Sequence, residues 1–332
     1  MASSLQSEIR KKLLELFSKA NGEFISGQKI SEQLGCSRTA VWKHIEDLRK
    51  EGYEVNAVRK AGYQITSKPD KISSNEIQLG LQTKILGRSI VFEEVVSSTQ
   101  KLAHKLAYDG AEEGTIIVTE QQTEGRGRLD RKWFSPKYTG IWMSLILRPN
   151  IPPTSAPQLT LLAAVAVAQA IQEVTGLEPD IKWPNDILLS GKKVVGILTE
   201  LQAESDRINS VIIGIGINVN QSKLDFPEEI NGVATSLSIA KGEKVNRSYL
   251  VQILLLKLEH LYLTYLENGF HAIKLLWESY AINIGEQILA RTLHGTIKGR
   301  ALGITDDGVL KLETSDGEIH YIYSADIEIL SK

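Results

Sequence analysis

Apolar residues recur at helical spacing from the start of the chain. Ile9, Leu13, Leu14, Leu16 and Phe17 predict an amphipathic helix over 5–19, ended by Asn21-Gly22. Ser26 reads as the cap of a short helix, 28–34, that buries Ile30 and Leu34. Gly35 makes a turn, and Ser37 caps a third helix, Arg38–Lys50, with Val41, Ile45 and Leu48 on one face; Gly52 ends it. Two strand-like runs, 53–58 and 63–66, then flank the basic turn Arg59-Lys60-Ala61-Gly62. The pattern predicts a helix-turn-helix followed by a wing.

Residues 67–80 begin with a polar, proline-containing stretch and read as a linker. From 81 to 284 the periodicity alternates. Strands are expected at 90–95, 115–121, 142–147, 194–201 and 211–219, and helices at 99–108, 158–174 and 249–267. The helix at 158–174 is apolar around its whole circumference and should be buried. An α/β body with a mixed sheet follows. From Gly285 to Lys332 the pattern turns to short strands, 287–293, 296–304, 309–312 and 319–323, with hairpin signals at Asp306-Asp307-Gly308 and Ser315-Asp316-Gly317. A small C-terminal β domain is expected there.

Composition adds two exclusions. One cysteine among 332 residues, Cys36, excludes an intrachain disulfide and any multi-cysteine metal site. The longest apolar run, 161–171, is shorter than the roughly 20 residues of a membrane span. With no signal-peptide pattern at the start, the chain reads as soluble and cytoplasmic. The net charge of −2 argues against a nucleic-acid partner only as an average. Residues 1–66 carry 11 Lys and Arg against 8 Asp and Glu, and the remainder is net acidic.

That local basicity fits the helix-turn-helix. In such modules the second helix enters the major groove and offers its first residues to base edges. Here these are Ser37, Arg38, Thr39, Trp42, Lys43 and His44, while Arg59 and Lys60 at the wing would meet phosphates. A winged helix used for protein contacts is the alternative. One module neutralises few phosphates, so specific binding calls for a dimer on two half-sites.

Three segments of the body carry more than packing. Gly125-Arg126-Gly127-Arg128, followed by Trp133, combines backbone access with bidentate donors, as an anion-binding loop requires. Lys182-Trp183-Pro184-Asn185-Asp186 sets polar groups in a proline turn. Lys193 enters an apolar strand ahead of Gly196, where a buried ammonium is costly without an anion. A solvated loop, an ordinary turn and a lysine with its head in water are the alternatives. No P-loop is present, and Gly214-Ile215-Gly216-Ile217-Asn218 lacks the third glycine of a dinucleotide fingerprint.

Taken in order, Ser98-Thr99-Gln100, Gln122, the 125–128 loop with Trp133, 182–186, Lys193 with Gly196, and 214–218 resemble the biotin protein ligases over the whole chain. With a winged helix in front, the likeness is to the bifunctional ligase–repressors. The resemblance implies activation of biotin with MgATP to biotinyl-5′-AMP and transfer to a lysine of the biotin carboxyl carrier protein of acetyl-CoA carboxylase. It implies that Lys193 bridges the carboxylate and the α-phosphate, and that Arg126, Gly127 and Arg128 close over the intermediate. Ser98, Thr99, Gln100 and Gln122 would read the ureido ring, with Trp133 ordering over biotin and Gly196 admitting the ligand. Asn185, Asp186 and Asn218 fall on the nucleotide side. It further implies an SH3-like C-terminal β-barrel, and a homodimer, formed with biotinyl-AMP as corepressor through the strand near 197–202, on operator DNA. The segment 220–232 would order with the ligand. The sequence departs from the family loop at Asp130, where a glycine is usual. A metabolite-sensing repressor without chemistry and a lipoate-type ligase are the competing readings.

Overall fold

The computed structural model describes residues 2–20, 22–50, 52–67, 70–204 and 207–330. The chain forms two compact units, Met1–Lys71 and Ile72–Lys332. Asn21, at the expected helix end, and Lys68 and Pro69, in the expected linker, lie outside the described residues.

The first unit consists of α1 (Ala2–Lys19), α2 (Gly27–Leu34), α3 (Arg38–Lys50), β1 (Glu54–Val58) and β2 (Gly62–Ser67). Both expected caps form. The Lys29 N–H donates to Ser26 Oγ at 3.1 Å and the Ala40 N–H to Ser37 Oγ at 3.2 Å. Gly35 adopts φ +64° between α2 and α3, the left-handed turn its position demands. Leu13, Leu14, Phe17, Ile30, Val41, Ile45 and Leu48 make the core. The antiparallel pair β1–β2 is braced by Ile25, which exchanges backbone bonds with Tyr63 at 2.9 Å. A side chain at Gly62 would collide with the Ile25 carbonyl, so only glycine closes this wing.

The second unit is built on a mixed sheet. It comprises α4 (Ser74–Gln78), β3 (Ile90–Val96), α5 (Thr99–Tyr108), β4 (Ile116–Gln122), β5 (Gly140–Leu147), α6 (Ala156–Thr175), β6 (Asp180–Lys182), β7 (Asp186–Leu189), β8 (Lys192–Ala203), β9 (Ile208–Asn218), α7 (Glu228–Asn231), α8 (Leu237–Lys241), α9 (Arg247–Asn268) and α10 (His271–Tyr280). The strand order is β3-β4-β5-β9-β8-β7-β6; β3 and β4 are parallel and the rest antiparallel. Strand alternation divides the core. Ile116 and Val118 face the large cluster under α6 and α9, while Ile117, with Ile146 and Ile212, packs against Ala103 and Ala107 of α5. The helix α6, with the turn before it, is long and apolar enough to cross a membrane, contrary to the estimate from its longest run. Most of that stretch is nevertheless buried inside the body, as a core helix.

A fully buried ion pair ties this unit together. Arg247 Nη1 lies 2.7 Å from Glu120 Oε2 and donates to the Gly140 carbonyl, while Glu120 Oε1 accepts the Ile72 N–H at 2.8 Å. Ile72 and Ile77 are fully buried, so the chain joins the body earlier than the expected linker 67–80 allows. Their polar neighbours, Ser73, Ser74, Asn75 and Glu76, mask this in the sequence.

The C-terminal strands β10 (Gln287–Thr292), β11 (Gly295–Ile304), β12 (Leu310–Glu313), β13 (Ile319–Ile322) and β14 (Asp326–Ile329) form an antiparallel sheet in the order β13-β12-β11-β10-β14. Its core residues Ile288, Ala301, Leu310 and Ile327 belong to the large cluster of the body.

Candidate active site

All the residues expected on the ligand side line one cavity of about 230 Å³. Ser98, Thr99 and Gln100 enter from the start of α5, Gln122 from the end of β4, and Arg126, Gly127, Arg128 and Trp133 from the loop between β4 and β5. Asn185 comes from the β6–β7 turn, Asp186 from the start of β7, Lys193 and Gly196 from β8, and Asn218 from the end of β9.

Lys193 answers the question its sequence position raised. Its Nζ lies 2.6 Å from Asp186 Oδ1, across the β7–β8 pair, and 5.4 Å from the ring centroid of Trp133. The ammonium is therefore held at the cavity wall by a carboxylate and an aromatic face. Its backbone also anchors the next segment, for the Lys193 N–H donates to the Val233 carbonyl and the Thr235 N–H to the Lys193 carbonyl.

Trp133 takes the space that Gly196 was expected to leave for a ligand. Gly196 and Gly216 are cross-strand partners, and a Cβ at either would run into the indole. The two glycines are a floor for the tryptophan, which in turn walls the cavity. Trp133 Nε1 and Arg126 Nε are buried and have no acceptor among the described residues. Two such donors beside a cavity suit a ligand rich in acceptors.

The rest of the loop is held from several sides. Arg128 donates to Asn185 Oδ1 at 3.1 Å and to Ser324 Oγ at 2.6 Å, and Arg131 pairs with Asp326 of β14. Burial pulls the Arg128 guanidinium below its usual pKa, while Asp326 and Asp186 act in the opposite direction. Leu129 and Asp130 both adopt left-handed backbone, φ +55° and +54°. Asp130 thus stands in backbone that glycine adopts most readily, and Asp tolerates that region better than most residues. It also brings a carboxylate 3.5 Å from Arg126 Nη1.

Most of the polar wall bonds within itself and to the sheet. Gln122 Oε1 accepts both the N–H and the hydroxyl of Thr99, and Gln122 Nε2 donates to Ser135. Gln100 directs its amide N–H to the Ile212 carbonyl, and its Oε1 lies 3.0 Å from Ser144 Oγ, so it braces the sheet. Ser98 stands at the N-cap of α5 yet makes no capping bond. Sequence reasoning missed the lining residues Ser144, Phe226, Ile230, Val233 and Asp326. Only the Ser in the apolar run of β5 left a trace in the pattern.

In the first unit, Ser37, Arg38, Thr39, Trp42 and Lys43 are exposed on α3, with Trp42 at 56% exposure, while His44 is half-buried. Arg59 and Lys60 are exposed at the tip of the β1–β2 hairpin.

Comparison with known proteins agrees with this layout. Residues 91–218 match the biotin/lipoate A/B protein ligase family, 9–64 an HTH domain and 284–330 the biotin protein ligase C-terminal domain. The bifunctional ligase/repressor BirA of Bacillus subtilis is 61% identical over 98% of this chain and 100% of its own length. That of Escherichia coli is 30% identical over 88% and 91%. The solved biotin protein ligase from Aquifex aeolicus, in complex with biotin and ATP, superposes with a TM-score of 0.64 at 32% identity, covering 74% of this chain and 100% of that one.

Proposed function

This chain belongs to the biotin protein ligase family, in its bifunctional ligase–repressor branch, and we propose that one adenylated intermediate serves both of its activities. It is a biotin ligase that uses ATP and a DNA-binding repressor. The observation that carries the residue assignment is the convergence of Lys193, Arg126 and Arg128 on one cavity beside the Ser98–Gln100 wall.

In the first step a biotin carboxylate oxygen attacks the α-phosphorus of ATP, and pyrophosphate leaves with the electrons of the broken P–O bond. Both reactants are anionic, so they must be neutralised and held in line. Lys193 bridges the carboxylate and the α-phosphate. Arg126 and Arg128 hold the resulting acyl phosphate, and the Gly127 backbone lets the loop come close. Thr99, Gln122 and the uncommitted Ser98 hydroxyl face the ureido ring, with Gln100 positioning them. Trp133 covers biotin. Asn185 and Asn218 contact the nucleotide. In the second step the amine of a carrier-protein lysine attacks the acyl carbon, and AMP leaves. The mixed anhydride is already activated, so no protein nucleophile is needed.

Mg2+ accompanies ATP. Such ions are held by one or two carboxylates plus phosphate oxygens and water. Asp186 and Asp326 are the carboxylates that line the cavity, and Asp186 is the one assigned to the ion. Bound, it would offset phosphate charge.

Repression requires paired DNA modules. Ile197 is still bonded to Asn185 through its N–H and its carbonyl, and beyond it β8 is paired along its length with β9 alone among the described strands, so residues 198–203 offer an edge to a second copy. Biotinyl-AMP, ordering residues 220–232, would favour that pairing. Reading DNA and serving a carrier protein place the chain in the cytoplasm.

Biotin-dependent exchange of label between pyrophosphate and ATP tests the ligase assignment, and exchange driven by lipoate instead would overturn the choice of substrate. Sedimentation and operator affinity, both unchanged by biotinyl-AMP, would overturn the corepressor role.

A further inference from the structure

Arg126 sits on a loop, yet its proposed task needs a fixed guanidinium. Two carboxylates approach it. Asp130 Oδ1 lies 3.5 Å from Nη1 but is 87% exposed, and an exposed pair contributes little. Glu200 Oε1 lies 3.6 Å from Nη2, with both side chains only about a third exposed, at 31% and 32%. Glu200 stands on β8, a strand, rather than on a loop. Its other oxygen is held by His104 Nε2 at 3.0 Å. The backbone that carries His104 is tied to the same strand, because Gln202 Nε2 donates to the His104 carbonyl at 2.9 Å. One edge of the Arg126 fork thus meets a braced carboxylate, while Nε has no acceptor among the described residues.

We propose that Glu200, backed by His104, is a positioning residue for the ligase reaction: it holds Arg126 so that the free part of the guanidinium meets the acyl phosphate of biotinyl-AMP. This rests on the ligase reading above. It assigns a role to a residue of β8 that does not itself touch the ligand. Glu200 also lies on the half of β8 that is open on one side, so the same carboxylate links the loop to that edge.

The test is the dissociation rate of biotinyl-AMP from the full-length protein, in a double-mutant cycle of Glu200→Gln and Arg126→Ala. Glu200→Gln keeps the size and one acceptor oxygen but removes the charge. It should speed dissociation on the order of tenfold, given the sensitivity of such sites to small displacements. In the Arg126→Ala background it should add less than about twofold, because a residue acting through Arg126 has nothing left to position. A merely structural role would give the same factor in both backgrounds, and that result, or an unchanged rate in Glu200→Gln, would overturn the proposal. His104→Gln offers the same comparison should Glu200→Gln fail to fold. Absence of biotin-dependent exchange in the wild type would overturn the ligase reading instead.

Discussion

Lys193 and Asp186 form an ion pair at 2.6 Å between adjacent strands, in the wall of the cavity and under the face of Trp133. The lysine is thus aimed before any substrate arrives, and an incoming anion competes with Asp186 for it. Lys193→Ala should abolish pyrophosphate exchange while leaving thermal stability and DNA binding nearly unchanged. Near-normal exchange in that variant would contradict the bridging role.

Gly196 and Gly216 have no room for a side chain beneath Trp133. Gly196→Ala should displace the indole at a cost of about 1–3 kcal/mol, the usual range for overpacking. Calorimetry should show biotin affinity falling by roughly 5- to 150-fold if that cost falls on the bound state. Wild-type affinity would mean that the tryptophan does not wall the biotin site.

Glu200 is held below the ordinary glutamate range, first by its hydrogen bond to His104 and then by Gln100 and Arg126, against an opposing effect of burial. A carboxylate depressed in the fold stabilises it above the unfolded pKa, and that contribution is lost as pH falls through the folded value. The stability gap between wild type and Glu200→Gln should therefore be full near neutrality and shrink in acid. Urea midpoints that differ equally at both pH values would refute this.

The buried pair of Arg247 and Glu120 should be costly to halve. Arg247→Met removes the cation beside the buried Glu120 side chain, and a loss of about 3–5 kcal/mol is expected in chemical denaturation. Replacing both partners with apolar residues should recover much of it. The effect should be confined to the second unit, leaving unfolding of the helix-turn-helix unchanged.

On α3, Arg38→Ala and Lys43→Ala should each weaken operator binding, by about 1–3 kcal/mol where the side chain reads a base. Lys60→Ala should lower affinity across all sequences and reduce the salt slope by about 1. Exchange activity should not change in any of these variants.

Much of this was legible in the chain because the signals were local. Ser37 and Gly52 bracket α3, and the polar strings around 125, 182 and 193 reappear around one cavity. What was not legible depends on distant partners. Strand β6 has only three residues, too few to show a period. Phe226 and Ile230 look like ordinary loop and helix residues until the segment folds against β8. Glu200 and His104 are 96 positions apart, and nothing in either neighbourhood announces the other. The early entry of Ile72 into the core was hidden for the opposite reason, by polar neighbours that are themselves half-buried or, at Glu76, buried.

The distribution of the five tryptophans has an optical consequence. Trp142, Trp183 and Trp277 are sealed in the core at 1%, 3% and 0% exposure and should give a constant emission. Trp42 stands on α3 among the expected DNA contacts, and Trp133 rests on the glycine floor of the cavity. The molecule therefore carries one intrinsic fluorophore for each of its two activities. Trp42→Phe would leave a signal that follows occupancy of the cavity, and Trp133→Phe one that follows the operator.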